Sequence, residues 1–176
     1  MQASVMDAEL LPLPQPVPSR LDPLIVGRDL SPAESSRLCG YGVLVRCVGD
    51  VVVEPATLDD AGQRAACVLA ALRHEGVDPE AWVVAQEAAH WVHAGGRSRS
   101  PWPALDTVVL LGPRGRSTRY RGTAVHRQGV PGEDEICRLD GLRLTTPART
   151  AADLARLLPP QAARDALDRL HAATGL

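Results

Sequence analysis

Residues 139–156 read L-D-G-L-R-L-T-T-P-A-R-T-A-A-D-L-A-R, and this stretch decides how the C-terminal part of the chain folds. Residues 142–145 follow the Asp140–Gly141 turn and have the composition of a β-strand. Thr146 is a good N-cap and Pro147 suits the first helical position, so a helix is predicted from there to about residue 158. The stretch therefore predicts two strands joined by a tight turn and followed at once by a helix.

The same kinds of signal predict the elements outside this stretch. Apolar residues at i, i+3, i+4 spacing, with caps at the ends, predict further helices over about 31–40, 61–74, 86–94 and 161–173. Short apolar runs between turn residues predict strands over about 42–48, 51–54, 107–111, 123–127 and 135–139, with a short apolar segment at 81–85. Alternating prolines between residues 12 and 18 forbid a regular helix, so ordered structure is expected from about Arg28.

The order of these elements predicts an α+β protein in three parts. Residues 1–27 are expected to form a Pro-rich extended arm. Residues 28–58, a short helix and a hairpin, look like the second half of a winged helix. Residues 59–176 are expected to form a C-terminal α/β domain with a small, mainly antiparallel sheet and flanking helices, on which the reduced winged-helix-like part packs.

Composition excludes several kinds of chemistry. The chain has 176 residues, 45% of them hydrophobic, which suits one domain with a core of Ala, Leu and Val. It contains no Lys, Asn or Phe, as expected of a GC-rich genome, so a phosphate-binding P-loop lysine and a Schiff base are excluded. The four cysteines show no zinc spacing, and we expect no cofactor or metal. The sequence shows no signal peptide or membrane span, which predicts a cytoplasmic protein.

Charge is concentrated in one run of the chain. Residues 97–127 hold seven arginines and a single acid, a net charge of +6 within a chain of net charge −2. Such a run is typical of contacts with phosphate or with an acidic partner, because the arginine fork donates two hydrogen bonds at once and stays charged. The predicted contact residues are Arg114, Arg116, Arg119, Arg121 and Arg127, with Arg28, Arg37 and Arg46 from the N-terminal part. The alternative is a solvated hairpin in an arginine-rich proteome.

Other polar patterns have a functional and a structural interpretation. Glu87, His90 and His93 share one face of a predicted helix and could begin a metal site, but the neighbouring alanines favour a packed helix. Cys39 and Cys47 flank the joint between the first helix and its hairpin, where they are either redox-sensitive or buried small hydrophobic residues. A metal-dependent hydrolase that uses Asp153 or Glu87 is a third, weaker hypothesis.

Three quoted segments carry a resemblance to a known family. R-Y-R-G-T-A-V-H-R (119–127) and the stretch 139–156 closely resemble the C-terminal part of AbiEi-type antitoxin-like proteins of actinobacteria. Q-E-A-A-H-W-V-H-A-G (86–95) is similar to a segment that those proteins place before their β region. The short helix and V-L-V-R-C-V-G-D-V-V-V (43–53) look like the recognition helix and wing at their N-terminus.

The resemblance implies a non-enzymatic, antitoxin-like transcription regulator. Family members in toxin–antitoxin systems bind their own promoter and counter a nucleotidyltransferase-type toxin, so DNA, such a toxin and a second copy of the chain are the expected partners. Relatives with an endonuclease domain carry it beyond the position of Leu176, and we expect no nuclease activity here. The chain departs from the family at its front, where the Pro-rich arm leaves little room for two helices before the recognition helix. The alternative function is therefore a protein-interaction module that docks an acidic partner, such as the cognate toxin, through its arginine-rich face.

Overall fold

The computed structural model describes residues 22–96, 108–112, 124–129 and 131–176, and these residues form an α+β protein, which confirms the predicted class. Its helices are α1 (Pro32–Gly40), α2 (Ala61–His74), α3 (Gln86–Ala94), α4 (Pro147–Leu157) and α5 (Pro160–Thr174). Its strands are β1 (Leu24–Ile25), β2 (Val45–Val48), β3 (Val51–Val53), β4 (Val83–Ala85), β5 (Val108–Gly112), β6 (Ala124–Gln128), β7 (Ile136–Leu139) and β8 (Leu142–Thr145). Short 3-10 helices cover Pro55–Asp59 and Glu133–Glu135.

Two of the helices begin at residues whose side chains cap them. Before α1, the Ser31 hydroxyl accepts a hydrogen bond from the Glu34 amide at 3.2 Å, and the Glu34 carboxylate accepts one from the Ser31 amide at 3.0 Å. Before α2, the Asp60 carboxylate accepts a hydrogen bond from the Gln63 amide at 2.8 Å. The predicted helix boundaries are confirmed to within one or two residues.

Regular structure begins earlier than predicted. Leu24 and Ile25, expected within the extended arm, form β1 and pair antiparallel with Val52 and Val51 of β3. This strand forms because Ile25 is 1% exposed and packs into the core, a tertiary contact that the proline spacing could not reveal. The N-terminal sheet has the order β1-β3-β2, with both pairings antiparallel.

The second sheet has the order β6-β5-β4-β8-β7. Its β4–β5 and β7–β8 pairings are antiparallel, while β4–β8 and β5–β6 are parallel. Over the two sheets four of six pairings are antiparallel, but this larger sheet is evenly mixed. The β7–β8 turn packs on the first turn of α2, where a Cβ at Gly62 would overlap the Asp140 carboxylate.

One hydrophobic core joins the two sheets. It combines Val48 and Val51 of the N-terminal sheet, Leu72 of α2 and Leu110 and Leu144 of the second sheet, all at most 1% exposed. Most of the core is Ala, Leu and Val, as predicted. The domain boundary near residue 58 stays a prediction, and the core runs across it.

The winged-helix interpretation of residues 28–58 also stays a prediction. The helix α1 and the hairpin β2–β3 are present, but residues 22–31 hold β1 and a turn in place of a further helix.

Candidate nucleic-acid interface

The arginine-rich run is attached to one edge of the five-stranded sheet. Arg114, Arg116, Arg119 and Arg121 lie outside the described residues, and Arg127 is described only as backbone in β6. The strands β5 and β6 pair in parallel, from Val108 opposite Ala124 to Gly112 opposite Gln128.

This parallel pairing shows that β5 and β6 are not the two arms of one hairpin. Parallel neighbours cannot be joined by a tight turn, because the chain must cross from the end of one strand to the start of the next. Residues 113–123 therefore connect Gly112, at the end of β5, to Ala124, at the start of β6. These two residues lie at opposite ends of one strand pair about 13 Å long. Both ends of the predicted contact segment are held on the same sheet edge.

Trp82 anchors the start of the run. Its ring is 5% exposed and lies directly against Gly112, where a Cβ would overlap the ring carbons. Glycine is thus required at position 112, the last described residue before Arg114. Because the indole is held in the core, Gly112, which precedes Arg114 by two residues, is held there as well.

Two of the three N-terminal arginines are paired with neighbouring acids. Arg28 donates to the Asp29 carboxylate at 2.9 and 2.7 Å, which lowers the pKa of Asp29, and Asp29 also accepts from the Ile25 amide at 2.8 Å. Arg46 pairs with Asp50 at 2.8 Å across the β2–β3 turn. Arg37 is exposed in the last turn of α1.

The N-terminal segment as a whole is acidic. Residues 22–58 contain three arginines and five acids, a net charge of −2. Glu34 stands at the N-terminus of α1, where a phosphate would otherwise be attracted by the helix dipole. Two of the three arginines are already partnered by acids, so this segment repels a phosphate backbone more than it attracts one.

Both histidines of α3 form hydrogen bonds with backbone carbonyls of other elements. Nε2 of His90 lies 3.0 Å from the carbonyl oxygen of Ala166 in α5, and Nε2 of His93 lies 2.8 Å from that of Thr145 in β8. A carbonyl accepts, so each ring donates its Nε2–H, and burial lowers the pKa of both histidines. Within the described residues no group of three potential ligands could hold a metal ion.

A small cleft lies beside these histidines, between α3, α4 and α5. It has a volume of about 190 Å³, and Glu87, His90, Trp91, Leu154 and Arg169 are among its lining residues. His90 reaches Ala166 through Nε2, so that nitrogen is not available as a general base. In this cleft the Nε2 atom of His90 instead joins α3 to α5.

The 139–156 stretch forms a buried polar junction between β8 and α4. The hydroxyls of Thr145 and Thr150, both fully buried, lie 2.7 Å apart. Arg149 donates to Asp153, four residues further along α4, at 3.0 Å and to Glu135 at 2.6 Å. The hydrogen bond from the Gly132 amide and the one from Arg149 lower the pKa of Glu135. Residues 139–156 therefore contribute side chains that hold the fold together at this junction.

Arg64 is a buried residue that sequence reasoning missed. It is 6% exposed, and its guanidinium donates to the carbonyl oxygens of Val92 at 3.0 Å, Leu58 at 2.6 Å and His93 at 3.3 Å. Burial lowers its pKa. These bonds satisfy carbonyls at the C-terminus of α3 and join it to α2 and the preceding 3-10 helix. The only sequence signal is a basic residue on the apolar side of a predicted helix.

The chain matches no family model, no curated protein and no solved structure. The resemblance to AbiEi-type proteins accordingly stays a prediction. In the part of the chain that the structure describes, no helix has both the length and the apolar composition needed to cross a membrane.

Proposed function

We propose that this protein is a non-enzymatic, antitoxin-like regulator that binds DNA mainly through the arginine-rich run at the β5–β6 edge. The observation that supports this most is the separation of charge along the chain. The run between residues 97 and 127 carries +6, whereas residues 22–58 carry −2. A polyanion is attracted to the first segment and not to the second.

The attachment of the run supports a binding role. Four of its seven arginines lie between Gly112 of β5 and Ala124 of β6, and both of these residues are held by paired strands. Holding both ends of a segment reduces the entropy lost when that segment binds. The buried polar residues of α3 and α4 support binding rather than catalysis, because His90, His93 and Arg149 are engaged in bonds that hold helices and strands together.

The experiment is fluorescence anisotropy of the protein on DNA from upstream of its own gene and on scrambled DNA, over a range of salt concentrations. Binding through the run predicts an affinity that falls with salt at a log–log slope of about −0.9 for each phosphate neutralised. The variant Arg116→Ala/Arg119→Ala should weaken binding, and the slope should become shallower by the contribution of about two phosphates. Unchanged affinity in this variant would remove the run from the interface.

A matched control is the variant Arg73→Ala/Arg164→Ala. Both arginines are exposed, on α2 and α5, and the change in net charge is the same. Its affinity should stay near that of the wild type. The variant Arg37→Ala tests α1 directly, since a reading helix would lose specificity for the promoter sequence when its one exposed arginine is removed.

The second candidate is a docking module for an acidic protein, such as a nucleotidyltransferase-type toxin. The observation that favours it is the acidic N-terminal segment, in which Arg28 and Arg46 are already paired with Asp29 and Asp50. A protein of this kind would bind scrambled and promoter DNA equally and weakly, and would lose both at physiological salt. It would also copurify with a stoichiometric acidic partner from its host, and the Arg116→Ala/Arg119→Ala variant would release that partner.

A further inference from the structure

The cleft between α3, α4 and α5 contains a buried hydrogen-bond donor that has no acceptor. Arg169 of α5 lines this cleft, and its Nε atom is buried, but none of the described residues accepts the Nε hydrogen. A buried donor without an acceptor destabilises a fold, so native structures seldom keep one unless water, an ion or a ligand satisfies it. The Nε–H group of Arg169 is therefore a point at which a molecule in the cleft can be recognised.

The directions of the helices place the two ionisable side chains at the ends of the cleft, Glu87 and Arg169, apart from each other. His90 of α3 contacts α5 three residues before Arg169, and further along both helices Gly96 and Ala173 line a second cavity. The helices α3 and α5 therefore run in the same general direction. Glu87 precedes His90 by three residues, so it lies roughly 9 Å from Arg169 along the helix axes. The negative charge of Glu87 is thus separated from the position at which Arg169 would hold an anion.

The walls of the cleft decide which kind of anion fits. Leu154 of α4, Leu158 and Ala162 supply apolar surface. Burial lowers the pKa of His90 and favours its neutral ring, so Arg169 supplies the positive charge among the described residues that line the cleft. The volume of about 190 Å³ is that of about six water molecules. These dimensions and walls suit a molecule with one carboxylate and a short aliphatic chain.

We propose that this cleft binds a short-chain aliphatic monocarboxylate. The carboxylate accepts one hydrogen bond from Nε of Arg169 and a second from a terminal nitrogen of the same guanidinium, in the paired geometry that arginine favours. The aliphatic chain lies on Leu154, Leu158 and Ala162 and removes their apolar surface from water. The bound molecule thus bridges α4 and α5. This role is separate from DNA binding and does not depend on it.

The test is isothermal titration calorimetry of the full chain, together with thermal unfolding, using valerate, glutarate and 1-pentanol as probes of similar length. We expect valerate to bind with a Kd of about 0.1–1 mM, because so small a ligand makes few contacts, and to raise Tm as its concentration increases. Glutarate should bind at least about tenfold more weakly, because its second carboxylate would lie against the leucines. The alcohol should also bind at least about tenfold more weakly, because it has no charged acceptor for Arg169.

Two variants, each with a matched control on α5, locate the site. Arg169→Gln removes the charge and should weaken valerate binding at least about tenfold, whereas Arg164→Gln, at an exposed position, should leave the affinity unchanged. Ala162→Leu fills the cleft from an exposed position and should abolish binding. Ala172→Leu, which is also exposed and lies outside the cleft, should bind valerate as the wild type does.

The ranking of the three probes on the wild-type protein does not depend on any variant folding. If valerate at about 10 mM gave neither heat nor a change in Tm, water alone would satisfy Arg169 and the proposal would be overturned. Equal affinities for valerate and 1-pentanol would overturn it as well, and so would valerate binding that persists in both Arg169→Gln and Ala162→Leu.

Discussion

Replacing Arg149 by alanine tests whether the β8–α4 junction stabilises the fold. Arg149 bridges Asp153, which is 8% exposed, and Glu135, whose side chain is 36% exposed. Removing one partner of a buried pair costs about 3–5 kcal/mol, whereas an exposed pair contributes about 0.2–1 kcal/mol. The Arg149 side chain is itself 26% exposed, so the two bonds lie between these limits. We expect Arg149→Ala to lower the free energy of unfolding by about 2 kcal/mol and Tm by about 4–8 °C.

The assay is thermal unfolding followed by circular dichroism, at low salt and at about 0.5 M salt. The exposed Arg164 of α5 provides the control, and its replacement by alanine should change stability by less than about 0.5 kcal/mol. The double variant Arg149→Ala/Asp153→Asn should be more stable than Arg149→Ala alone, because it no longer buries an unpaired carboxylate. A loss no larger than that of the control, or one that disappears at high salt, would show that the junction behaves as a surface ion pair.

Three other perturbations address the interior of the protein. Arg64→Met should lower the free energy of unfolding in urea by about 2–4 kcal/mol, because the carbonyls that Arg64 serves lose their donor. Arg64→Lys should recover only part of this loss. If Arg64→Met were as stable as the wild type, the desolvation cost of the guanidinium would outweigh its hydrogen bonds. The pKa values of His90 and His93 are lowered by burial, so the unfolded chain binds more protons below about pH 6.5. Stability should be fully present above that pH and fall as the pH drops toward the folded pKa values, and a urea midpoint equal at pH 7.5 and about pH 5.5 would contradict this. Gly112→Ala should destabilise the protein by about 1–3 kcal/mol, because its Cβ would overlap the buried ring of Trp82, while Gly40→Ala, which meets no atom within 4 Å, should be nearly neutral in the same urea titration.

Local signals made the helices predictable from the sequence. A cap such as Ser31, Asp60 or Thr146 satisfies free amides within three residues of itself, so the information that starts a helix lies beside it in the chain. The helix that follows then needs only its apolar spacing to continue. This is why α1, α2 and α4 were placed to within one or two residues.

Strand partners and directions were not predictable in the same way. An apolar run indicates a strand but says nothing about which strand lies beside it. Val84 pairs with Leu144, sixty residues away. The parallel direction of β5 and β6 depends on how the other strands of the sheet are arranged, and not on the residues within either strand. For the same reason β1 escaped prediction, because its two residues form a strand only when β3 is present to pair with them.

The candidate site was likewise predictable from the sequence only in part. The concentration of arginines is a property of composition, and the sequence alone shows it. The structural roles of Arg64 and Thr150 depend on carbonyls and hydroxyls brought close by folding, and their spacing in the chain gives no sign of them. The separation of Cys39 from Cys47 into different clusters likewise depends on which face of the sheet each residue meets.

The contact between Trp82 and Gly112 gives the protein an internal optical reporter. Indole emission depends on the groups packed around the ring, and this ring lies against the backbone from which the arginine-rich run departs. The chain has three tryptophans, so replacing Trp91 and Trp102 by phenylalanine leaves Trp82 as the only indole. A ligand that pulls on the run would then change the wavelength or intensity of the emission without any attached dye, and the ligand could be followed in real time through the molecule's own fluorescence.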